Sequence, residues 1–366
     1  MDTLADAADI LLILAGLLLL VFLFMRLYPA FGGKAPKEDL RQSPHYRDGT
    51  FSNLIPTSMN MDLKTNLAVL REFVKGNPKG RPGRPLGVEP LPLPLNGAQG
   101  RVTWFGHSAL LLELDGKTML LDPMFGKTPS PFPLFGGKRY SGPLPELEKL
   151  PAIDVVFLSH DHYDHLDYGS IRRIKNKVKR FCVPLGVGSH LERWGVERAR
   201  IEEHDWWEEF ECDGLRLACT PARHFSGRRL TDRNSTLWCS WVIAGRHASV
   251  YFSGDSGYGP HFAEIGEKYG PFDLTLMECG QYDERWAAIH MMPEQTVQAH
   301  LDVKGRVMLP IHWSAFTLAL HEWTDPIERV TKAARERGAH VSTPRIGEPV
   351  LIGAAEYPDS AWWRTY

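Results

Sequence analysis

The hydrophobic pattern divides the chain into an apolar block, an irregular stretch and a long region of short alternations. Ile10 to Met25 reads ILLILAGLLLLVFLFM, and Ala7, Ala8, Leu27 and Tyr28 extend it at the ends. A helix from Ala7 to Tyr28 would be roughly 33 Å long at 1.5 Å per residue, enough for a bilayer core of roughly 30 Å. It is apolar all round, which predicts a transmembrane helix and not an interfacial one. Asp2, Asp6 and Asp9 precede it without a Lys or Arg, the reverse of a secretory signal. Arg26, Lys34, Lys37 and Arg41 follow it. The positive-inside rule then predicts a single-pass anchor in a bacterial inner membrane, with the main body in the cytoplasm.

Residues 29–100 are rich in Pro and Gly. The run GNPKGRPGRPLGVEPLPLPLNG (76–97) cannot sustain helix or sheet, since proline lacks the N–H and fixes φ. This stretch reads as a wrap or linker with one helix-like segment near Leu63 to Val74. From Arg101 short β-like runs dominate: RVTWF, ALLLEL, TMLLD, DVVFLS, RFCVP, LRLACTP, SWVIA, ASVYFS, DLTLME and RVMLP. Helix-like stretches lie between some of them, at His261–Tyr269, Pro293–Val303 and Asp325–Arg337. Strands with helices interspersed predict an α/β protein of stacked layers, helices outside. The expected organisation is an anchor at 1–28, a wrap at 29–100, the main domain at 101–352 and a tail at 353–366.

Charge and cysteine content narrow the function classes. Forty-two Lys and Arg against 44 Asp and Glu leave −2, which excludes a basic nucleic-acid-binding surface on charge alone. Five cysteines, an odd number without a C-x-x-C pair, argue against a disulfide scaffold and for a reducing compartment. The 15 histidines are more telling, because several stand where a metal would want them.

One arrangement recurs along the main domain: an apolar strand ends, a small or kinked residue follows, then an Asp or His. TMLL runs into Asp122, VVFLS into His160, LACTPAR into His224, SVYFSG into Asp255 and VMLPI into His312. Ligand sites in layered α/β proteins form beyond the carboxyl ends of strands, so these ends predict one crevice. The first His-bearing end is dense: His160-Asp161-His162-Tyr163-Asp164-His165, an H-x-H-x-D-H pattern. Imidazole and carboxylate are ligands zinc accepts when no thiolate is offered. His160 and His162 can face one ion while Asp164 and His165 turn to a second. His224 can complete the first site and His312 the second, with Asp255 bridging them. Asp122 and His107 are expected to hold these ligands in orientation.

At these residues the sequence resembles the metallo-β-lactamase fold superfamily, its motif standing as SHDHYDHLD (159–167) and its later ligands matching His224, Asp255 and His312. Within it the chain looks most like the N-acylphosphatidylethanolamine-hydrolysing phospholipase D group and its bacterial relatives. TWFGHSALLLE (103–113), LLDPMF (120–125), TPARHF (220–225), YDERW (282–286) and LPIHW (309–313) carry that likeness. The resemblance implies a four-layer αβ/βα sandwich, two zinc ions (iron or manganese being the other candidates), a homodimer and phosphodiester hydrolysis. A phospholipid is the implied substrate. The lactonase-like branch shares the WFGHS and H-x-H-x-D-H segments, so a lactonase or small-ester hydrolase stands as the alternative, and a non-catalytic metal-binding membrane protein as a third reading.

Asp164 and His290, the latter in AAIHMMPE before a helix-like stretch, are the candidate catalytic side chains, His290 as phosphate contact or proton donor. Tyr282 is a weaker candidate for substrate contact. Phe125, Phe132, Phe135 and Tyr140, in the loop 124–142, could line an acyl groove or cover a core edge.

Overall fold

The computed structural model describes residues 2–59, 62–92, 100–132 and 136–366, with side chains from 11 onward. The first helix, α1 (Asp2–Leu27), coincides with the apolar block. Among the described residues no helix is long and apolar enough to cross a membrane. The expected transmembrane anchor is corrected accordingly, and with it the single-pass inner-membrane placement with a cytoplasmic body. The end of α1 is held by protein. Phe24 stacks on Tyr28 and Phe132, Arg193 Nη2 donates to Arg26 O at 2.7 Å, and Trp194 Nε1 donates to Pro29 O at 2.7 Å.

The wrap carries a one-turn helix α2 (Lys37–Leu40), a small hairpin of β1 (Tyr46–Arg47) and β2 (Thr50–Phe51), and α3 (Leu63–Lys75). Asp62 caps α3, its carboxylate accepting from Thr65 N at 2.7 Å.

Beyond it the strands form two seven-stranded sheets among the described residues. The first contains β3 (Gly100–Trp104), β4 (Leu110–Leu114), β5 (Lys117–Leu121), β6 (Ile153–Phe157), β7 (Val178–Pro184) and β8 (Ile201–His204), with the late strand β16 (Pro349–Leu351) beside β3. The second contains β9 (Glu209–Cys212), β10 (Leu215–Thr220), β11 (Ser240–Ala244), β12 (Ser249–Phe252), β13 (Phe272–Glu278), β14 (Gly305–Ile311) and β15 (His340–Val341). Each sheet is antiparallel on one side and parallel on the other: β5 to β8 are parallel in the first, β12 to β15 in the second. The β4–β5 hairpin turns on Asp115-Gly116, both at positive φ as a two-residue turn requires.

The inner faces meet in one core, Val102, Leu112 and Phe157 from one sheet and Leu217, Trp241 and Ile243 from the other. Outside, α4 (Tyr168–Ile174) and α5 (Gly188–Arg193) bury Ile171, Ile174 and Leu191 in a second cluster with the first sheet. The second sheet is flanked by α6 (His261–Tyr269), α7 (Pro293–Asp302) and α8 (Asp325–Arg337), whose Phe262, Ile265, Val297 and Val330 are buried. The strand-like runs and long helices expected past Arg101 are all present. The strands at β8, β9, β15 and β16 went unpredicted because they are short or, like IEEH and EFEC, polar on their exposed faces. The last residues pack as well, Trp362 stacking on Trp313 with Trp363 edge-on to it.

His300 on α7 gives the fold a pH signature. It is buried, its Nδ1 2.7 Å from Thr275 Oγ1, and burial with a smaller push from His340 lowers it to about 4. As pH falls below the ordinary imidazole value near 6.5, the unfolded chain takes a proton that the folded chain refuses. His300 therefore leaves stability intact above that value and erodes it down to about 4. By pH 5 the loss is about 2 kcal/mol, and His300→Gln should abolish that share. Denaturant unfolding at pH 7.5 and 5 checks this; equal losses in both proteins would refute it.

Candidate metal centre

Five carboxyl-terminal strand ends deliver the centre. Asp122 follows β5, the cluster 160–165 follows β6, His224 follows β10, Asp255 follows β12 and His312 follows β14. Asp122 and His312, together with the neighbouring His107, sit on strained backbone, with φ of 38°, 67° and 54°, a left-handed region that costs a residue with a Cβ. Backbone bonds over-determine two of them, since His312 N donates to His107 O and His107 N to Trp313 O, each at 2.9 Å.

Hydrogen bonds fix the tautomers. His224 Nδ1 donates to Ile289 O at 2.9 Å, which leaves Nε2 as a lone pair. Ser159 Oγ donates to Asp122 Oδ2 at 2.5 Å and so accepts from His160 Nδ1 at 2.9 Å, leaving His160 Nε2 bare as well. Those two nitrogens converge on His162 Nδ1, at 3.3 Å and 2.8 Å. A single proton on His162 can satisfy one of them; a cation among the three satisfies all.

A second group lies alongside. His107, Asp164, His165 and His312 place ligand atoms within 4.8 Å of one another. His107 Nε2 donates to Asp164 Oδ2 at 2.9 Å, and His165 Nδ1 donates to Asp122 Oδ2 at 2.7 Å, so His107 and Asp122 orient two of the inward groups. His165 Nε2 is buried without a hydrogen-bond partner, as is Asp255 Oδ1. Asp255 stands between the groups. Its Oδ2 is 3.1 Å from His165 Nε2 and 3.8 Å from both His160 Nε2 and His224 Nε2, and its Oδ1 is 3.1 Å from His312 Nδ1.

Burial holds His160, His224 and His312 well below the ordinary imidazole range and His107 and His162 at about 4. These rings are therefore neutral. At His165 burial also pushes down, but Asp255, Asp164 and Asp122 together outweigh it and push the imidazole up. Asp164 is held well below the carboxylate range, His165 and His107 overcoming its burial, whereas burial raises Asp255 to about 6. Neutral imidazoles interleaved with carboxylates, with bare buried donor atoms aimed inward, are the donor set a divalent cation takes.

The centre opens into a cavity of about 230 Å³ lined by Met59, His162, Asp164, Phe225, Asp255, Gln281, Trp286, Ile289, His290, His312 and Leu318. His290 thus reaches the centre, its ring stacked on His312 and its Nδ1 3.4 Å from Glu278 Oε2. Tyr282 does not: its hydroxyl bonds Asp325, and it lines a different cavity with His321 and Arg329. The loop aromatics also pack elsewhere. Phe125 packs against Phe105, Phe132 against Phe24 and Tyr28, and Tyr140 Oη donates to Gly80 O; Phe135 lies outside the described residues.

Three further groups matter that sequence reasoning missed. Glu278 ends β13, accepts from Met291 N at 2.8 Å, and is pushed well above the carboxylate range by burial. It closes the apolar run DLTLM of β13, a Glu where the other strand ends present Asp or His. Asp161, inside the dense motif, accepts from Gly227 N, Thr236 Oγ1 and His190 Nε2, bracing the loop from beneath. Asn53 of the wrap holds the His224 backbone, Nδ2 donating to its carbonyl at 2.8 Å and Oδ1 accepting from its N–H at 3.1 Å. Nothing in the local sequence marks it.

Two mixed sheets with a His/Asp cluster at their strand ends define a metal-dependent hydrolase. The chain belongs to the beta-lactamase superfamily: the model of the beta-lactamase superfamily domain matches residues 117–313. It is 45% identical to an uncharacterized protein of Mycobacterium tuberculosis over 88% of each chain. N-acyl-phosphatidylethanolamine-hydrolyzing phospholipase D 1 of Caenorhabditis elegans is 37% identical, over 60% of this chain and 65% of that one. The structure of Igni18, a metallo hydrolase from Ignicoccus hospitalis, superposes with a TM-score of 0.55 at 24% identity, over 69% of this chain and 97% of the other. That likeness concerns the fold. The metallo-hydrolase fold implies a divalent metal, and the His/Asp cluster can hold one.

Proposed function

We propose that the protein hydrolyses the head-group phosphodiester of a phospholipid, releasing phosphatidic acid and an N-acylethanolamine from an N-acylated phosphatidylethanolamine. The 37% identity to the nematode phospholipase D supports this reading most directly. The cavity agrees with it in size and lining. About 230 Å³ takes a phosphodiester and its nearest atoms but not acyl chains, which would rest on the apolar lip of Met59, Phe225, Trp286, Ile289 and Leu318.

Two zinc ions are the proposed cofactors; His160, His162 and His224 would hold one, Asp164, His165 and His312 the other, and the Asp255 carboxylate between the two groups would add to both. Bound divalent ions supply Lewis acidity and a water that loses its proton near neutral pH. The side chains do the rest. His107 and Asp122 keep Asp164 and His165 in position. Glu278, held protonated by burial, donates toward His290 Nδ1 and so leaves the other ring nitrogen carrying the proton. That proton is available to the phosphate or to the departing alkoxide.

Incubation with N-acylphosphatidylethanolamine, followed by mass spectrometry of the lipids, tests the substrate. Phosphatidic acid and N-acylethanolamine in equal amounts are the expected products. Lactone opening without lipid cleavage would instead place the protein in the lactonase-like branch.

A further inference from the structure

Away from the centre, the far edge of the first sheet carries a cluster that hydrolysis does not use. Cys182 on β7 lies opposite Glu202 on β8 in the parallel register, and His204 follows two residues further along β8, so all three project from one face. Their ligand atoms lie within 4.8 Å of one another. Cys182 is a buried free thiol. His204 is stacked flat on Phe210, with ring centroids 3.7 Å apart, and its Nδ1 lies 3.3 Å from Glu208 Oε2. Its Nε2 is buried and has no hydrogen-bond partner. Arg180 Nη1 donates to Glu202 Oε1 at 2.5 Å, which leaves the second carboxylate oxygen available.

A bare buried imidazole nitrogen beside a thiol and a carboxylate is costly as a packing arrangement, because the nitrogen loses water and gains nothing. The same three groups form a coherent donor set. Tetrahedral zinc, with bonds of about 2.0–2.3 Å, holds its donors about 3.3–3.8 Å apart, which falls inside the 4.8 Å limit that contains these three. Thiolate, imidazole and carboxylate together favour zinc over the hard cations magnesium and calcium.

We propose that Cys182, Glu202 and His204 form a second metal site, distinct from the hydrolytic centre, that takes one zinc ion and leaves its fourth position to water. Binding converts the Cys182 thiol to thiolate and releases its proton to solvent. The site ties β7 to β8 at the sheet edge, so its occupation adds to stability and leaves turnover unchanged.

Cobalt separates this site from the centre, which offers only nitrogen and oxygen donors. The full chain, stripped of metal under reducing conditions and titrated with Co²⁺ until all sites are filled, should develop a thiolate-to-cobalt charge-transfer band in the near ultraviolet, which the nitrogen and oxygen donors of the centre cannot give. His160→Ala should keep that band, whereas Cys182→Ser and His204→Ala should lose it. Glu202→Gln, at a partly exposed position where folding is not at stake, should weaken cobalt binding on the order of tenfold or more. Absence of the band in the unaltered chain would overturn the site, as would a band untouched by Cys182→Ser or an affinity unmoved by Glu202→Gln.

Discussion

Asp255→Ala lowers hydrolysis by on the order of 10³-fold or more and strips metal from the purified protein. The size of the effect follows from position. One carboxylate lies 3.1 Å from both His165 and His312 and 3.8 Å from both His160 and His224, so it faces every imidazole of the two ligand groups except His162. Its removal leaves His165 without the largest favourable charge that offsets its burial. Asp255→Asn keeps the shape and loses the charge, and should fail nearly as badly. Asp255 lies in the loop beyond β12, so both variants should keep the native circular dichroism. Metal analysis beside a rate measurement checks the prediction; a folded alanine variant with normal metal content and activity would refute it.

His290→Ala costs roughly 10²–10⁴-fold in kcat, the range for loss of a positioned acid or base, and leaves the metal content in place. The ring lines the cavity and stacks on His312, yet it lies outside the two groups assigned to metal. If it hands a proton to the departing alkoxide, a phosphodiester with a nitrophenol leaving group needs that proton less. The variant should recover most of its loss on such a substrate. Loss of equal size on both substrates would make His290 a phosphate contact only, and activity within about twofold of the unaltered chain would remove it from the chemistry.

The strands and the centre were legible for one reason: both are written in local pattern. Val155, Val156 and Phe157 form a run buried on both faces, and His160 follows it after Leu158 and Ser159. The H-x-H-x-D-H cluster and the Asp and His residues at other strand ends repeat that grammar, and the structure draws them into one crevice. What escaped reading depends on distance. Asn53 grips the His224 backbone from 171 residues away, and only folding places it there. Tyr282 opens the YDERW segment shortly before His290 in the chain, but its hydroxyl is committed to Asp325. Helices α4 and α5 span seven and six residues, too few for a helical period to declare itself. At the other extreme, the unbroken apolar block Ile10 to Met25 indicated a helix, and a helix stands there; crossing a bilayer was a separate inference, and among the described residues no helix is long and apolar enough for it.

The proposed metal position lies where His160 Nε2 and His224 Nε2 converge on His162 Nδ1. Anomalous diffraction from crystals of the zinc-loaded chain, collected at the zinc edge, tests it directly. The account predicts a peak within bonding distance of His160 Nε2, His162 Nδ1 and His224 Nε2, with a second beside Asp164 and His165. Fully active crystals in which that crevice carries no anomalous density would contradict it.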